Sequence, residues 1–256
     1  MTPPKSDNFS CIALIPARSG SKRIKNKNIR LLSGHPLMAY SIQTAIDSRI
    51  FNHIVVSTDS REIGKIAKYY GAEVPFLRPI QYATDTSSDI EWVKYTLEKL
   101  ENDGTKSDCF SILRPTSPFR QGETIKRAWE VFIADGKADS LRAVEKCRQH
   151  PAKMWIIKNK RMYPVMKNPD KSAIPWHSTP YQALPPIFAQ NASLEIAWNY
   201  LPIKENSISG EKIMLFITED FEGYDINDEK DWIYAEYLIT RNRVKLPKIM
   251  QKPCNC

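Results

Sequence analysis

Between Arg18 and Arg30 the chain carries six cationic side chains, Arg18, Lys22, Arg23, Lys25, Lys27 and Arg30, and no acid. The stretch ARSGSKRIKNKNIR follows an apolar run, IALIP, that ends at a proline. Lysine and arginine at this density suit a polyanion: they neutralise phosphate oxygens, while Ser21 and the backbone N–H groups of the loop offer directed hydrogen bonds. The spacing is not that of a Walker A loop, since SGSKRIKNKN lacks GxxxxGK[ST], and it is not a dinucleotide fingerprint. A solvated basic loop is the competing reading, because charge runs often do no more than face water.

The periodicity of the flanking segments predicts how that loop is positioned. CIALIPA (11–17) and HIVVSTD (53–59) read as buried strands, and HPLMAYSIQTAIDSRIF (35–51) has apolar residues at helical spacing. SREIGKIAKYYGAEV (60–74) predicts a helix capped by Ser60 and stopped near Gly71, and DIEWVKYTLEKLENDG (89–104) one capped by Ser88 and stopped at Gly104. CFSILRPT (109–116) and SLRAVEKC (140–147) predict strands on either side of a helix, GETIKRAWEVFIADG (122–136). This alternation predicts an α/β domain with a mostly parallel sheet. Ligands of such sheets collect at the carboxyl ends of strands, where the basic loop falls. Between His150 and about Phe188 the rhythm breaks. WIIKNKRMYPVM predicts a hairpin, and KNPDKSAIPWHSTPYQALPP an extended, proline-rich excursion suited to a partner contact or a substrate lid. ASLEIAW (192–198) and KIMLFIT (212–218) restore strand character, and EKDWIYAEYLITRN (229–242) predicts a closing helix.

Composition narrows the function classes. A chain of 256 residues with 18 prolines and 9 glycines suits one sizeable α/β domain with many fixed turns. No apolar run approaches the length of a membrane span. The opening MTPPKSDNFS has no basic region leading into an apolar core, so it is expected to be a short ragged arm and not a secretory signal. The net charge of +8 is concentrated at both ends, with seven lysines and arginines against one acid in residues 1–35 and five against none in residues 241–256. Basic ends around a slightly acidic body favour local anion sites over a broad nucleic-acid face. No aromatic residue interleaves with the cations of the loop, which argues further against nucleic acid. The five cysteines, Cys11, Cys109, Cys147, Cys254 and Cys256, have no four-ligand zinc spacing; the terminal KPCNC is expected to be a frayed, reduced tail, and a reducing compartment fits best.

The stretch IPARSGSKRIKNKN resembles the signature of the acylneuraminate cytidylyltransferases, the CMP-sialic acid synthetases and their nonulosonate relatives: an apolar strand, then A-R-x-x-S-K, then K-N. The likeness continues in the same order through IVVSTDS, LRPIQYATDTSS, LRPTSPFR, YQALPPIFAQN and YDINDEKD, nearly the whole chain. It implies a three-layer, Rossmann-like nucleotide-diphospho-sugar transferase fold, one domain over residues 1–256. The excursion at about 148–190 then becomes an insertion exchanged between two subunits, or a lid on its own chain. The implied reaction joins CTP to a nine-carbon 2-keto sugar acid with magnesium and releases pyrophosphate. The implied setting is a cytoplasmic homodimer that serves lipopolysaccharide or other surface-glycan biosynthesis, with neither nucleic acid nor membrane as partner. Another nucleotide, a sugar 1-phosphate acceptor, or a nucleotide-binding protein with weakened turnover remain open alternatives.

Carried over by matching position, the resemblance places Ala17, Arg18, Ser21, Lys22, Lys27, Asn28, Arg78 and Ser88 on the nucleotide, with Arg78 at the cytosine base. Arg18, Lys27 and Asp225 become the catalytic group, Lys27 being the cation closest to the charge that develops at the α-phosphorus. Two family aspartates one residue apart hold the metal; here they are Asp225 and Asn227, one carboxylate fewer. Asp228 and Asp231 either compensate for that loss or serve as a helix cap and a solvated acid. Arg114, Thr116, Ser117, Tyr181, Gln182 and Asn191 fall on the acceptor. There the chain departs from the family, with Arg114 for a glutamine and Tyr181 and Ala189 for arginines. Arg114 is expected to grip the acceptor's anionic group, which a guanidinium does bidentately. His150 is expected to be structural or exposed, not an acid–base group. Trp155, Ile156, Ile157, Met162, Tyr163 and Trp176 are candidates for burial against a partner.

Overall fold

The computed structural model describes residues 9–254. The first strand, β1 (Cys11–Pro16), is buried along nearly its whole length, as a central strand covered on both faces must be. In chain order there follow β2 (Leu31–Leu32), β3 (His35–Pro36), α1 (Leu37–Ser48), β4 (His53–Ser57), α2 (Arg61–Tyr69), α3 (Asp89–Asn102), β5 (Cys109–Ile112), α4 (Gly122–Asp135) and β6 (Ser140–Lys146). Then come β7 (Trp155–Lys158), β8 (Arg161–Pro164), β9 (Phe188–Trp198), β10 (Ile213–Ile217) and α5 (Glu229–Thr240). The chain divides into two compact units, one made of the residues up to Ala143 with those from Asn191 on, the other Val144–Gln190.

The central sheet has six strands in the order β10-β6-β9-β5-β1-β4. β1 runs parallel to both β4 and β5, and β5 pairs antiparallel with β9. Side chains alternate between the faces with the two-residue period of a strand. Cys11, Ala13 and Ile15 of β1 enter one hydrophobic layer with residues of α1, α2 and α4, while Ile12 and Leu14 enter the other with Trp92, Val93 and Leu97 of α3. This is the three-layer α/β architecture. A third cluster gathers Ile24, Leu32, Leu37, Tyr40, Phe119, Ile226 and Trp232, so it joins α5 to the segments on either side of α1. Helix α1 buries nine of its twelve residues, which explains its lack of a polar face.

Local signals account for the element ends. Ser60 caps α2 by accepting from the Ile63 N–H, and Gly71 follows at φ +94°. Ser88 and Glu91 form a capping box at α3, and Gly136 closes α4 at φ 61°. Within the smaller unit, β7 and β8 form the expected hairpin, turned by Asn159 and Lys160, both at positive φ. The periodicity underestimates β9, which starts at Phe188 and not Ala192, and passes over a π-helical turn at Leu201–Glu205.

Two expectations about the ends need correction. Ser10, placed in the ragged arm, donates from its N–H and its hydroxyl to the Asp108 carboxylate (2.9 and 2.8 Å); residues 1–8 lie outside the described residues. The tail is docked and not frayed: the Cys254 N–H donates to the Tyr70 hydroxyl (3.2 Å) and the Tyr69 hydroxyl to the Lys252 carbonyl (3.1 Å). Cys254 is disulfide-bonded, not reduced, whereas Cys11, Cys109 and Cys147 are free. Cys256 lies outside the described residues. No helix among the described residues is long and apolar enough to cross a membrane.

Helices α1 and α4 meet at Gly122, where an added Cβ would lie 2.9 Å from the Asp47 carbonyl carbon and 3.0 Å from the Ser48 nitrogen. Backbone on both sides leaves no flexible group to yield. Gly122→Ala should cost about 1–3 kcal/mol, read as a lower urea midpoint at unchanged slope.

Candidate active site

The basic loop leaves β1 tied down at several points. The Ala17 N–H donates to the Ser57 carbonyl (3.0 Å), and Ser19 donates from its N–H and hydroxyl to the Asp59 carboxylate (2.8 and 2.5 Å). Asn26, at φ 53°, turns its carbonyl to the N–H groups of Ile29 and Arg30 (3.0 and 2.9 Å). The Asn28 amide donates to the Arg18 carbonyl (3.0 Å). Ile24, 1% exposed, anchors the middle in the cluster that contains Ile226 and Trp232. Ile24, together with Ile29 packed against the main core, thus fixes which way the loop faces.

The cations then divide. Arg18, Lys22, Arg23 and Lys27 line a cavity of about 260 Å³ at the carboxyl end of β1. Arg18 and Lys22 both pair with Asp85, Arg18 at 2.6 Å. Arg30 instead pairs with Glu229 (2.6 Å) and lies over the Trp232 ring (4.3 Å), bracing α5. The Lys27 ammonium donates to the Ile226 carbonyl (3.0 Å). Burial pulls its pKa below the ordinary lysine value, and the nearby Asp225 carboxylate is the strongest influence in the other direction.

Asp225 is therefore close to the loop. Its Oδ2 accepts from the Asn227 amide (2.5 Å), whose own oxygen accepts from Arg23 (3.1 Å). Its Oδ1 is buried with no hydrogen-bond partner. An orphaned anionic oxygen beside a cluster of cations fits a divalent ion held jointly with phosphate. Among the described residues no three His, Cys, Asp or Glu side chains gather around one ion, but magnesium on phosphates needs only one or two carboxylates. Asp228 caps α5, accepting from the Lys230 and Asp231 N–H groups (2.8 and 3.1 Å), while Asp231 accepts from the Asn227 and Asp228 N–H groups (2.8 and 3.1 Å). Asp228 is the cap; Asp231 is engaged, not solvated.

Across the cavity Arg78, only 5% exposed, donates from Nε to the Ser57 hydroxyl (2.9 Å) and from Nη2 to the Ser57 carbonyl (2.8 Å). Its guanidinium lies 4.6 Å over the Trp92 ring, and burial lowers its pKa to about 10. Such a held fork offers a fixed donor pattern. Asn28, Arg114 and Thr116 also line the cavity, as does Ser21. Arg114 pairs with Asp89 (2.6 Å) and Glu195 (2.8 Å), and Glu195 pairs again with Arg142.

Six other expected residues of the larger unit, Ala17, Ser88, Ser117, Asn191, Asp225 and Asn227, are not among those that line the cavity. Ala17 is wholly buried, Ser88 serves as the α3 cap, and Ser117 is buried with its hydroxyl unpartnered. Asn191 donates to the Thr218 hydroxyl (2.9 Å) and accepts from the Ser193 N–H (3.1 Å). Tyr181 and Gln182 belong to a 3-10 turn of the smaller unit, where the Tyr181 hydroxyl donates to the Cys147 carbonyl. His150 of that unit is buried and structural: Nδ1 accepts from the Ala152 N–H (3.1 Å) and Nε2 meets the Pro185 carbonyl (2.9 Å). Sequence reasoning missed Asp85, Asp89, Trp92 and Glu195. The ATD and SSDIEW stretches carried the first three without a spacing that marks them, and Glu195 looked like an ordinary strand residue.

The family model described as Cytidylyltransferase matches residues 12–165. The CMP-N,N'-diacetyllegionaminic acid synthase of Legionella pneumophila is 37% identical over 236 residues, 92% of this chain and 98% of the relative. A Campylobacter jejuni protein of the same name is 32% identical over 232 residues, 90% and 94% of the two chains. The solved CMP:2-keto-3-deoxy-manno-octonic acid synthetase complexed with CTP aligns with a TM-score of 0.65 at 14% identity, over 91% of this chain and 99% of its own. That last likeness is one of fold. The fold and the matched sequence define a nucleotidyltransferase enzyme. The chain belongs to the cytidylyltransferase family.

Asp85 engages two of the loop cations, Arg18 and Lys22, in partly exposed, modest ion pairs that a bound polyanion would have to displace. Asp85→Asn should tighten CTP binding about two- to fivefold, measured by titration calorimetry.

Proposed function

We propose that the chain joins CTP to an acidic nonulosonic sugar, giving a CMP-sugar and pyrophosphate. The observation that carries this reading is the direct contact of Lys27 and Arg23 with the Ile226–Asn227 segment, at the wall of a cavity also lined by Arg18 and Lys22. It supports the reading by setting these cations beside the segment that carries the Asp225 carboxylate.

In this reading the sugar's anomeric hydroxyl attacks the α-phosphorus in line. A new P–O bond forms as the bond to the β-phosphate oxygen breaks, and the hydroxyl proton passes to solvent. Arg18, Ser21 and Lys22 hold the triphosphate, and Asp85 leaves them as it arrives. Lys27 stands over the α-phosphate and offsets the charge that grows on its non-bridging oxygens. Arg78 presents its two remaining donor directions to the O2 and N3 acceptors of cytosine, and Asn28 keeps the loop closed on Arg18. Asp225 Oδ1, with phosphate oxygens, would hold magnesium, which supplies Lewis-acid neutralisation of the phosphates when bound. Asn227 orients that carboxylate, and its own oxygen could join as a ligand only on leaving Arg23.

Arg114 and Thr116, both on the cavity wall, form the acceptor side. The relatives named for legionaminic acid support a nonulosonic acceptor over a neutral sugar. We assign the enzyme to the cytoplasm, where CTP is available, and to surface-glycan synthesis. Trp155, Ile156, Ile157, Met162 and Tyr163 of the β7–β8 hairpin are all exposed; we propose that they bury against a second copy in a homodimer. Sedimentation of the wild type and of an Ile157→Lys variant tests this, a monomeric wild type counting against it.

A panel of nucleoside triphosphates with N,N'-diacetyllegionaminic and N-acetylneuraminic acids, scored by pyrophosphate release, tests the reaction. CTP should be preferred, and Asp225→Asn should lower kcat about 100- to 1000-fold. CTP binding without magnesium-dependent pyrophosphate release would instead mark a binding protein. Arg114→Gln should raise the acceptor KM about tenfold and spare that for CTP; equal damage to both would remove Arg114 from the acceptor side.

A further inference from the structure

We infer that Asp89 and Glu195 are positioning residues that set the direction of Arg114, and that the Trp92 indole ties this arginine to the base-side Arg78. The inference rests on the functional reading above and adds to it a physical link between the two halves of the site. Arg114 Nη2 donates to Asp89 Oδ2 (2.6 Å) and to Glu195 Oε1 (2.8 Å), while Nη1 lies 3.4 Å from Asp89 Oδ1. Asp89 thus spans the Nη1–Nη2 edge of the guanidinium while Glu195 takes the other Nη2 proton. Nε and the second Nη1 proton remain as the donors for a ligand. A flexible arginine so held loses its rotamer freedom on folding and not on binding, the usual route to preorganised recognition.

The cluster is balanced in charge. Glu195, its side chain 5% exposed, sits between Arg114 and Arg142, so two acids face two guanidiniums. Burying four charges gains little stability over apolar packing. What such a cluster does supply is orientation, together with a weakened net charge at Arg114. The arginine then reads hydrogen-bond geometry in its ligand more than charge alone. The Asp89 carboxylate also accepts from the Trp92 indole N–H (2.8 Å), and the Trp92 ring carries Arg78 on its face (4.6 Å). Although burial pushes the Asp89 carboxyl upward, its bond to Arg114 holds its pKa below the usual carboxylate range. From Arg78 through Trp92 and Asp89 to Arg114 the contacts follow the cavity wall, and they continue behind it through Glu195 to Arg142.

A double-mutant cycle separates this from a merely structural role. Asp89→Asn should raise the acceptor KM about tenfold in the wild type while leaving the CTP KM within twofold. In an Arg114→Gln background it should add less than twofold, because its effect passes through Arg114. Equal effects in both backgrounds, or parallel rises in the two KM values, would overturn the proposal. Trp92→Phe leaves an aromatic ring beside Arg78 and removes the indole N–H together with the five-membered ring; it should raise the acceptor KM about threefold, and no change would detach Trp92 from the chain. N,N'-diacetyllegionaminic acid serves as the acceptor, or N-acetylneuraminic acid if that is the one turned over. A wild type that releases no pyrophosphate with either acid would defeat the functional reading and not this one. In that event a crystal structure of Asp89→Asn decides: Arg114 swung from its wild-type direction supports the inference, and Arg114 unmoved overturns it.

Discussion

Lys27 and Ile226 are 199 positions apart in the chain and 3.0 Å apart in space. That hydrogen bond forms because Ile24, three residues before Lys27, is buried in the same apolar cluster as Ile226, Phe119 and Trp232. Hydrophobic burial thus helps to orient a loop whose other residues are cationic or polar, Ile29 apart. The anion site is a consequence of a small hydrophobic contact, and the carboxylate of Asp225 arrives with it.

Charge is then managed pair by pair. Lys25 apart, each cation of the loop has a polar partner or a place on the cavity wall, and the partners differ in kind. Glu229 and the Trp232 ring hold Arg30 as part of the scaffold. Asp85, on an exposed turn, holds Arg18 and Lys22 in a contact that a stronger polyanion can displace. The distinction lies in exposure: partly exposed pairs are screened and exchange readily, whereas the buried Glu195 has no solvent to turn to. A site that must admit and release a highly charged nucleotide needs the first kind at its mouth and the second along its wall.

Asn227 illustrates the same economy. It stands where the family resemblance implies a second aspartate, and here its amide N–H donates to one oxygen of Asp225 while its amide oxygen accepts from Arg23. The result leaves Asp225 with a single unpartnered oxygen in a region rich in cations. A second negative charge there would have competed with phosphate for Arg23 and Lys27.

Much of this protein could be read from its residues in order. The alternation of apolar periods defined the α/β layers; Ser60, Gly71, Ser88 and Gly136 marked helix ends because capping is chemistry local to a few residues. Ile24 and Lys27 were visible, but their shared purpose was not, because the cluster that holds Ile24 draws on Phe119 and on the distant segment that carries Ile226 and Trp232. The same is true of Asp85, Asp89, Trp92 and Glu195, ordinary side chains in their own stretches whose meaning comes from what the fold sets beside them. Local periodicity and capping act over a few residues and so are written in the sequence. Which charge meets which across the cavity is decided by the packing of the whole domain, and only the tertiary structure shows it.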